Sequence, residues 1–384
     1  MDDKRIMIFT ASIGSGHDQV AKVLVDALSA QRGVTVVSFD FMALWGTSLR
    51  ELFKQGYFKM IDWVPSWYHH LYQNTMRLAE GDQVKYLLGY RYEKKISALI
   101  KEFRPTTILC TNPFPLISLA SLKKKGKASV EIATLITDYT AHSIWLDDAV
   151  DYYFVGSNAL KDNLINRGVL REQIYMTGIP IHPRFHQPVD PYSIYQREGL
   201  LPQMKTVLIM GGGLGMGPFE EILEQLEMVP ETMQLLVVTG KNQKLQAWLH
   251  EQIKSSHHRI KIYGYIDFIN ELMSISQLLI SKSGGVSMTE AMSRSLPIFV
   301  TAPIPGQETG NADFIEQMGI GKHIRHLDSL GNSVKKLFFD APWEYEAMKK
   351  NCRWLMRPRA LEEITEVLTK HEETVKREGT PTPW

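Results

Sequence analysis

Short apolar runs alternate with helically spaced apolar positions along almost the whole chain. Arg5 to Thr10 reads as a strand, followed by Gly14-Ser15-Gly16-His17 and a helix to about Ala30. Val34 to Phe39, Thr107 to Cys110, Glu131 to Ile136 and Tyr152 to Val155 are further runs. A second series holds Thr206 to Met210, Leu235 to Val238, Ile260 to Tyr263, Leu278 to Ser281 and Ile298 to Val300. Such runs are short and continuously apolar. With helices between them, they predict strands buried on both faces of parallel sheets, joined by right-handed crossovers. The proline-rich stretch from Pro180 to Pro202 separates the two series. The pattern therefore predicts an α/β protein of two doubly wound, Rossmann-like domains facing each other across a cleft, residues 1–185 and 186–345. Residues 346–384 are expected to form a helix returning to the first domain and a loose tail. Ligands of open α/β sheets bind beyond the carboxyl ends of the strands. The glycine-rich turns fall there.

Trp45 to Lys95 departs from this pattern. It is dense in aromatics, among them Trp63, Trp67 and Tyr68, and is interspersed with Lys54, Lys59, Lys94 and Lys95. Aromatic and basic residues mixed on helices suit a membrane interface. Helices that simply cover a sheet would read the same way.

Composition narrows the function classes. A chain of 384 residues with net charge +1 is no dedicated nucleic-acid binder. Two cysteines, Cys110 and Cys352, exclude a disulfide framework and fit a reducing compartment. The acidic Met1-Asp2-Asp3 start is no signal peptide. No apolar run approaches the roughly 20 residues of a membrane span. The expected location is cytoplasmic or on a membrane face.

The most informative stretch is Lys282 to Ala312. Ser283, Gly284 and Gly285 leave a strand and enter a helix; one strand later a second turn offers Gln307, Glu308 and Asn311 at another helix start. Helix N-termini favour anions, so the first turn suits a diphosphate. Amides and a carboxylate at the second suit sugar hydroxyls. Ser287 and Glu290 also fit a capping box, in which Glu290 would only satisfy a backbone donor. Gly211 to Gly217 is a second glycine-rich loop after a strand, and Gly213 at its centre lets backbone approach an anion. Neither it nor Gly14-Ser15-Gly16-His17 carries the dinucleotide fingerprint, which disfavours a dehydrogenase. His17 and His142 are candidate general bases near neutral pH. Either could be incidental after its turn. Asp138 could orient a base, bind an acceptor hydroxyl or cap a helix. No D-x-D, H-E-x-x-H or paired Cys/His spacing occurs, so no metal site is implied.

Together these motifs resemble the processive diacylglycerol glucosyltransferases and the monogalactosyldiacylglycerol synthases, in glycosyltransferase family 28. The resemblance runs from about Ile6 to about Leu368. It is carried by Gly14-x-Gly16-His17, Ile136-Thr137-Asp138 with His142, Thr177 to Ile181, the Gly211 loop, Lys282-x-Gly284-Gly285 with Glu290, and Pro305 to Glu308 with Asn311. It implies a GT-B fold and inverting transfer of a hexose from a UDP-sugar to the hydroxyl of diacylglycerol, without a cofactor or metal. His17 matches the catalytic base of this family, and Asp138 is the second catalytic candidate. Gly16, Gly213, Ser283, Gly284, Gly285 and Ser287 fall to the donor, and Asn311 with them. Glu290 matches a ribose-binding position of the related peptidoglycan GlcNAc-transferase, and Gln307 and Glu308 match its sugar contacts. Tyr265-Ile266 resembles the uracil-contacting segment. Trp63, Trp67, Tyr68 and His142 fall to the acceptor and to an anionic membrane surface on the cytoplasmic face. The glucosyltransferases usually carry K-P-G-G where Ser283 stands here. The Gly211 loop is closer to that of the galactosyl synthases. Glucose is the expected sugar over galactose, and the number of sugars added stays open. A UDP-sugar epimerase on the same fold and a non-catalytic UDP-sugar sensor are the alternatives.

Overall fold

The computed structural model describes residues 3–11, 15–45, 83–252, 256–304 and 307–370. Trp63, Trp67 and Tyr68 lie outside them. The first sheet holds β1 (Lys4–Thr10), β2 (Val34–Asp40), β3 (Thr107–Cys110), β4 (Glu131–Leu135), β5 (Tyr152–Phe154) and β6 (Ile174–Tyr175). The second holds β7 (Thr206–Met210), β8 (Gln234–Val238), β9 (Arg259–Tyr263), β10 (Leu278–Ser281), β11 (Ile298–Thr301) and β12 (Gly321–Ile324). All pairings are parallel. The orders are β2-β1-β3-β4-β5-β6 and β12-β11-β10-β7-β8-β9. The predicted α/β class and the two doubly wound domains are thus what the chain adopts.

The sheet orders position the site. In the second sheet the direction of winding reverses between β7 and β10, which pair from Leu278↔Val207 to Ser281↔Met210. The Gly211 loop follows β7 and the Lys282–Gly285 turn follows β10. The two glycine turns therefore lie side by side at a topological switch point, the usual ligand crevice of such sheets. In the first sheet, β1 leads into the helix Ser15–Ser29 that carries His17, and β4 leads into Thr137 and Asp138.

The domains meet through a continuous apolar cluster. It includes Tyr139, Ile179 and Phe185 from one side and Val286, Ala291, Met292 and Phe314 from the other. The helix Ala360–Thr369 packs against Ser15–Ser29 of the first domain, burying Ile364 and Leu368 in that cluster with Val20 and Leu24. The crossover passes close to Gly178. Its φ of +94° suits glycine, and a Cβ there would stand 2.7 Å from Arg357 Cβ.

Candidate functional site

The helix Gly285–Ser293 begins earlier than the capping-box pattern indicates. Its N-cap is Gly284, and Ser287 lies inside the first turn. The alternative of a cap at Ser287 is therefore not what the chain adopts. Tertiary contact sets the start: a Cβ at Gly285 would lie 2.1 Å from the Thr137 carbonyl oxygen of the other domain. The glycine pair lets the chain turn into a helix against that carbonyl. The first intrahelical bond there runs from Met288 N to Gly284 O, 3.0 Å. The N–H groups of Gly285, Val286 and Ser287 thus have no acceptor in their own helix. N–H groups left over at a helix start suit an anion.

Lys282, which the sequence reading left out of the site, stands between the two glycine turns. Its Nζ donates to Glu308 Oε1 at 2.8 Å, and its Cε would be 3.2 Å from a Cβ on Gly212. The Gly211 loop is itself packed tightly, since a Cβ at Gly215 would stand 2.0 Å from Thr239 O. Gly213 O accepts from Lys241 N at 3.1 Å. Lys241 Nζ lies 5.7 Å from the ring centroid of Tyr265. Tyr265 is exposed, and neighbouring Ile266 packs partly into the core. This rim is open to a flat ring.

Several predicted donor groups are already engaged by protein. Ser283 is buried and its Oγ donates to Glu308 O at 2.6 Å. Glu308 Oε2 accepts from Ile304 N at 3.0 Å while Oε1 holds Lys282. Asn311 is fully buried and bridges to the first domain. Gln307 starts the helix Gln307–Gln317, and its side chain is outside the described residues.

Glu290 is different. It sits inside its helix, buried, and no residue described here hydrogen-bonds its carboxylate. Burial pushes it up to about 8, with Arg184 opposing. A capping role is excluded. A carboxyl that burial holds neutral costs stability once it ionises, which marks it as a functional candidate. The sign of that cost is testable. The unfolded chain ionises Glu290 near 4.5, so folding is penalised progressively as pH rises from there to about 8. Glu290→Gln is expected to leave thermal stability nearly unchanged at pH 5 and raise it by about 2–4 kcal/mol at pH 8, measured by calorimetry. A gain that is equal at both pH values would remove this account.

His17 faces these turns from the other domain. It is partly buried, and its Nδ1 lies 3.0 Å from Thr137 Oγ1. Burial holds its pKa below the ordinary 6.5, and Lys282 adds to that. Asp138, the Thr111 backbone and Asp18 act in the opposite direction. Asp18 is anchored by Thr10 Oγ1 at 2.8 Å. Gly16 admits Val286, whose Cγ2 would be 3.3 Å from a Cβ there. Asp138 is buried and accepts from Asn311 Nδ2 at 2.8 Å. His142 is buried as the N-cap of a short 3₁₀ turn, its Nδ1 accepting from Ile144 N at 3.0 Å. It therefore has a structural role of its own.

Two clusters of metal-ligand type occur among the described residues, Glu227 with His257 and His258, and Asp313 with Glu316 and His323. In the first, His258 spends one ring nitrogen on Leu226 O and the other on Met233 N. In the second, Arg325 pairs with both carboxylates. Neither includes a residue of the cleft.

Two facing doubly wound sheets with glycine turns at the switch point define the GT-B class. Solved structures share this fold. Acinetobacter baumannii MurG superposes with a TM-score of 0.65 at 14% identity, covering 96% of this chain and all of that one. A UDP co-structure of S. aureus MnaA gives 0.65 at 14% identity, covering 99% of this chain and all of that one. Sequence comparison is more specific. The profile of monogalactosyldiacylglycerol synthase matches residues 17–181, and that of the glycosyltransferase family 28 C-terminal domain matches residues 206–365. A processive diacylglycerol β-glucosyltransferase of Bacillus cereus (strain B4264) is 31% identical over 323 residues, 84% of this chain and 82% of the relative. Its namesake in Bacillus pumilus (strain SAFR-032) is 29% identical over 379 residues, 98% of each. The chain belongs to the family of processive diacylglycerol β-glucosyltransferases and monogalactosyldiacylglycerol synthases, within glycosyltransferase family 28.

Proposed function

We propose that this protein transfers glucose from UDP-glucose to the free hydroxyl of diacylglycerol, inverting the anomeric carbon. The observation that carries the reading is the placement of His17 across a closed interface from the anion-binding end of the helix Gly285–Ser293. One side supplies a base and the other a cradle for the leaving diphosphate. The names of the relatives supply the acceptor class and the sugar.

In this reading the diacylglycerol oxygen attacks the anomeric carbon and its proton passes to His17. For Nε2 to accept it, Nδ1–H donates to Thr137 Oγ1. The bond from the anomeric carbon to the diphosphate oxygen breaks, and UDP leaves with the electron pair. The N–H groups of Gly285, Val286 and Ser287 and the Lys282 ammonium stabilise the charge that develops there. Preorganised donors of this kind supply much of an enzyme's rate enhancement. They would do the work a metal does elsewhere, so the mechanism needs none. Glu290 would receive the ribose hydroxyls, and Tyr265 with Ile266 the uracil.

The acceptor is a membrane lipid, and no helix among the described residues is long and apolar enough to cross a bilayer. The protein would therefore work as a peripheral enzyme on an anionic surface, at the cytoplasmic face of the cell membrane. Trp63, Trp67 and Tyr68 are the proposed contacts. The family assignment favours transfer over the epimerase and sensor alternatives.

The test is direct. The purified chain is incubated with diacylglycerol micelles and either UDP-glucose or UDP-galactose, and lipid products are resolved by mass spectrometry. Glucosyldiacylglycerol from UDP-glucose is expected. Product from UDP-galactose alone would correct the sugar, and no glycolipid from either donor would overturn the reading.

A further inference from the structure

Asn311 bonds in a way that a sugar contact would not. Its Nδ2 donates to Asp138 Oδ1 and to Ser283 O, each at 2.8 Å, and its Oδ1 accepts from Tyr139 N at 2.8 Å. The Tyr139 N–H can only donate, which fixes the amide orientation. Both amide protons are therefore committed to protein, together with one lone pair of the oxygen. The side chain is fully buried. Its partners come from both domains: Ser283 follows β10 of the second sheet, while Asp138 and Tyr139 follow β4 of the first.

The surroundings repeat this bridging. Tyr139 stacks on Phe314 with ring centroids 4.4 Å apart, and its hydroxyl meets Thr289 Oγ1 at 2.8 Å. Gly310, one residue before Asn311, is packed so closely that a Cβ would lie 2.5 Å from Thr140 Oγ1. Opening the cleft would leave Asn311 with Ser283 and strip it of Asp138 and Tyr139. Closing it restores both bonds at once.

We propose that Asn311 is a positioning residue that latches the closed cleft and aims Asp138 beside His17, rather than a donor-sugar contact. The donor turn and the base then come into register together, because one buried amide holds both loops. Asp138 is the carboxylate that most favours a protonated His17. Its placement therefore bears on how well the imidazolium formed during proton transfer is tolerated. The inference rests on the transfer reaction proposed above.

The experiment measures kcat and KM for UDP-glucose, the Kd of UDP, and small-angle scattering of the UDP-bound protein. It compares wild type with N311A, N311D, D138A and N311A/D138A. N311D keeps volume but faces oxygen to the Asp138 carboxylate and Ser283 O. N311A is expected to lower kcat by about 30- to 100-fold, with KM and UDP Kd within about threefold. N311D should be no better, and it carries the test if N311A does not fold. Because the two residues act as one unit, the double variant should fall no more than about threefold below the worse single. UDP-bound N311A should be the wider particle. A rise in KM with kcat unchanged makes Asn311 a donor contact and overturns the latch. So do additive losses, or a kcat within threefold of wild type. Without any glycolipid from the wild-type chain, the reaction itself fails. Scattering then still decides the latch, since equal dimensions for wild type and N311A reject it.

Discussion

His17→Ala is expected to lower kcat for glucosyl transfer by about 10²–10⁴-fold, the usual worth of a positioned general base. The Kd of UDP should change by no more than about threefold, since the donor cradle belongs to the other domain. The reasoning rests on what touches His17. Its Nδ1 is next to Thr137 Oγ1 at 3.0 Å, and Asp138 and Asp18 supply the nearby negative charge. Lys282 of the donor turn also acts on the ring, through its charge. The pH dependence follows from the direction of its shift. Burial favours the neutral imidazole, so His17 stays deprotonated to lower pH than an ordinary histidine. The acid limb of kcat/KM for the wild-type chain should therefore fall below pH 6.5. His17→Ala should lose that limb along with the rate. Retention of kcat within about threefold would place the base elsewhere.

Much of the fold was legible because burial on both faces leaves a strong trace. β7, Thr206–Met210, and β10, Leu278–Ser281, are buried at every position and read as apolar runs. The strands that the pattern missed are the ones with weak traces. β6 has two residues, Ile174 and Tyr175. β12 reads Gly-Lys-His-Ile at a sheet edge, where polar side chains are tolerated. The site was legible in part for the same kind of reason. A glycine turn after a strand is a local signal, and the turns that hold Gly16, Gly213, Gly284 and Gly285 do follow β1, β7 and β10.

What stayed hidden depends on contacts distant in sequence. Thr137 and His17 are 120 positions apart, and Asn311 and Asp138 are 173 apart. No periodicity reports such pairs. Lys282 belongs to the glycine motif, yet its place between the Gly211 loop and Glu308 follows only from the pairing of β7 with β10. The Ser287 capping box shows the opposite failure. A local pattern of the right type lost to the contact of Gly285 with Thr137, which starts the helix three residues earlier.

That contact carries the second large prediction. Gly285→Ala is expected to cost about 100-fold in kcat while leaving each domain folded. Displacements near 1 Å from the reacting geometry suffice for a loss of that size. Gly285 lies within a helix and shows no left-handed φ, so nothing in its own backbone demands glycine. Alanine there would favour the helix by about 1 kcal/mol on propensity alone. The obstacle lies across the interface. The new Cβ would stand 2.1 Å from Thr137 O and 3.0 Å from Asp138 Cα, both backbone atoms that cannot rotate away. Either the β4 loop shifts, taking Asp138 and the Thr137 support of His17 with it, or the domains part. Both routes separate base from donor. The variant should turn over slowly with each domain still folded, and its UDP-bound form should scatter as a wider particle. Slow turnover with an early melting transition would instead mean that the interface is needed for folding. Unchanged kcat would mean that the closed contact is not part of the reacting state.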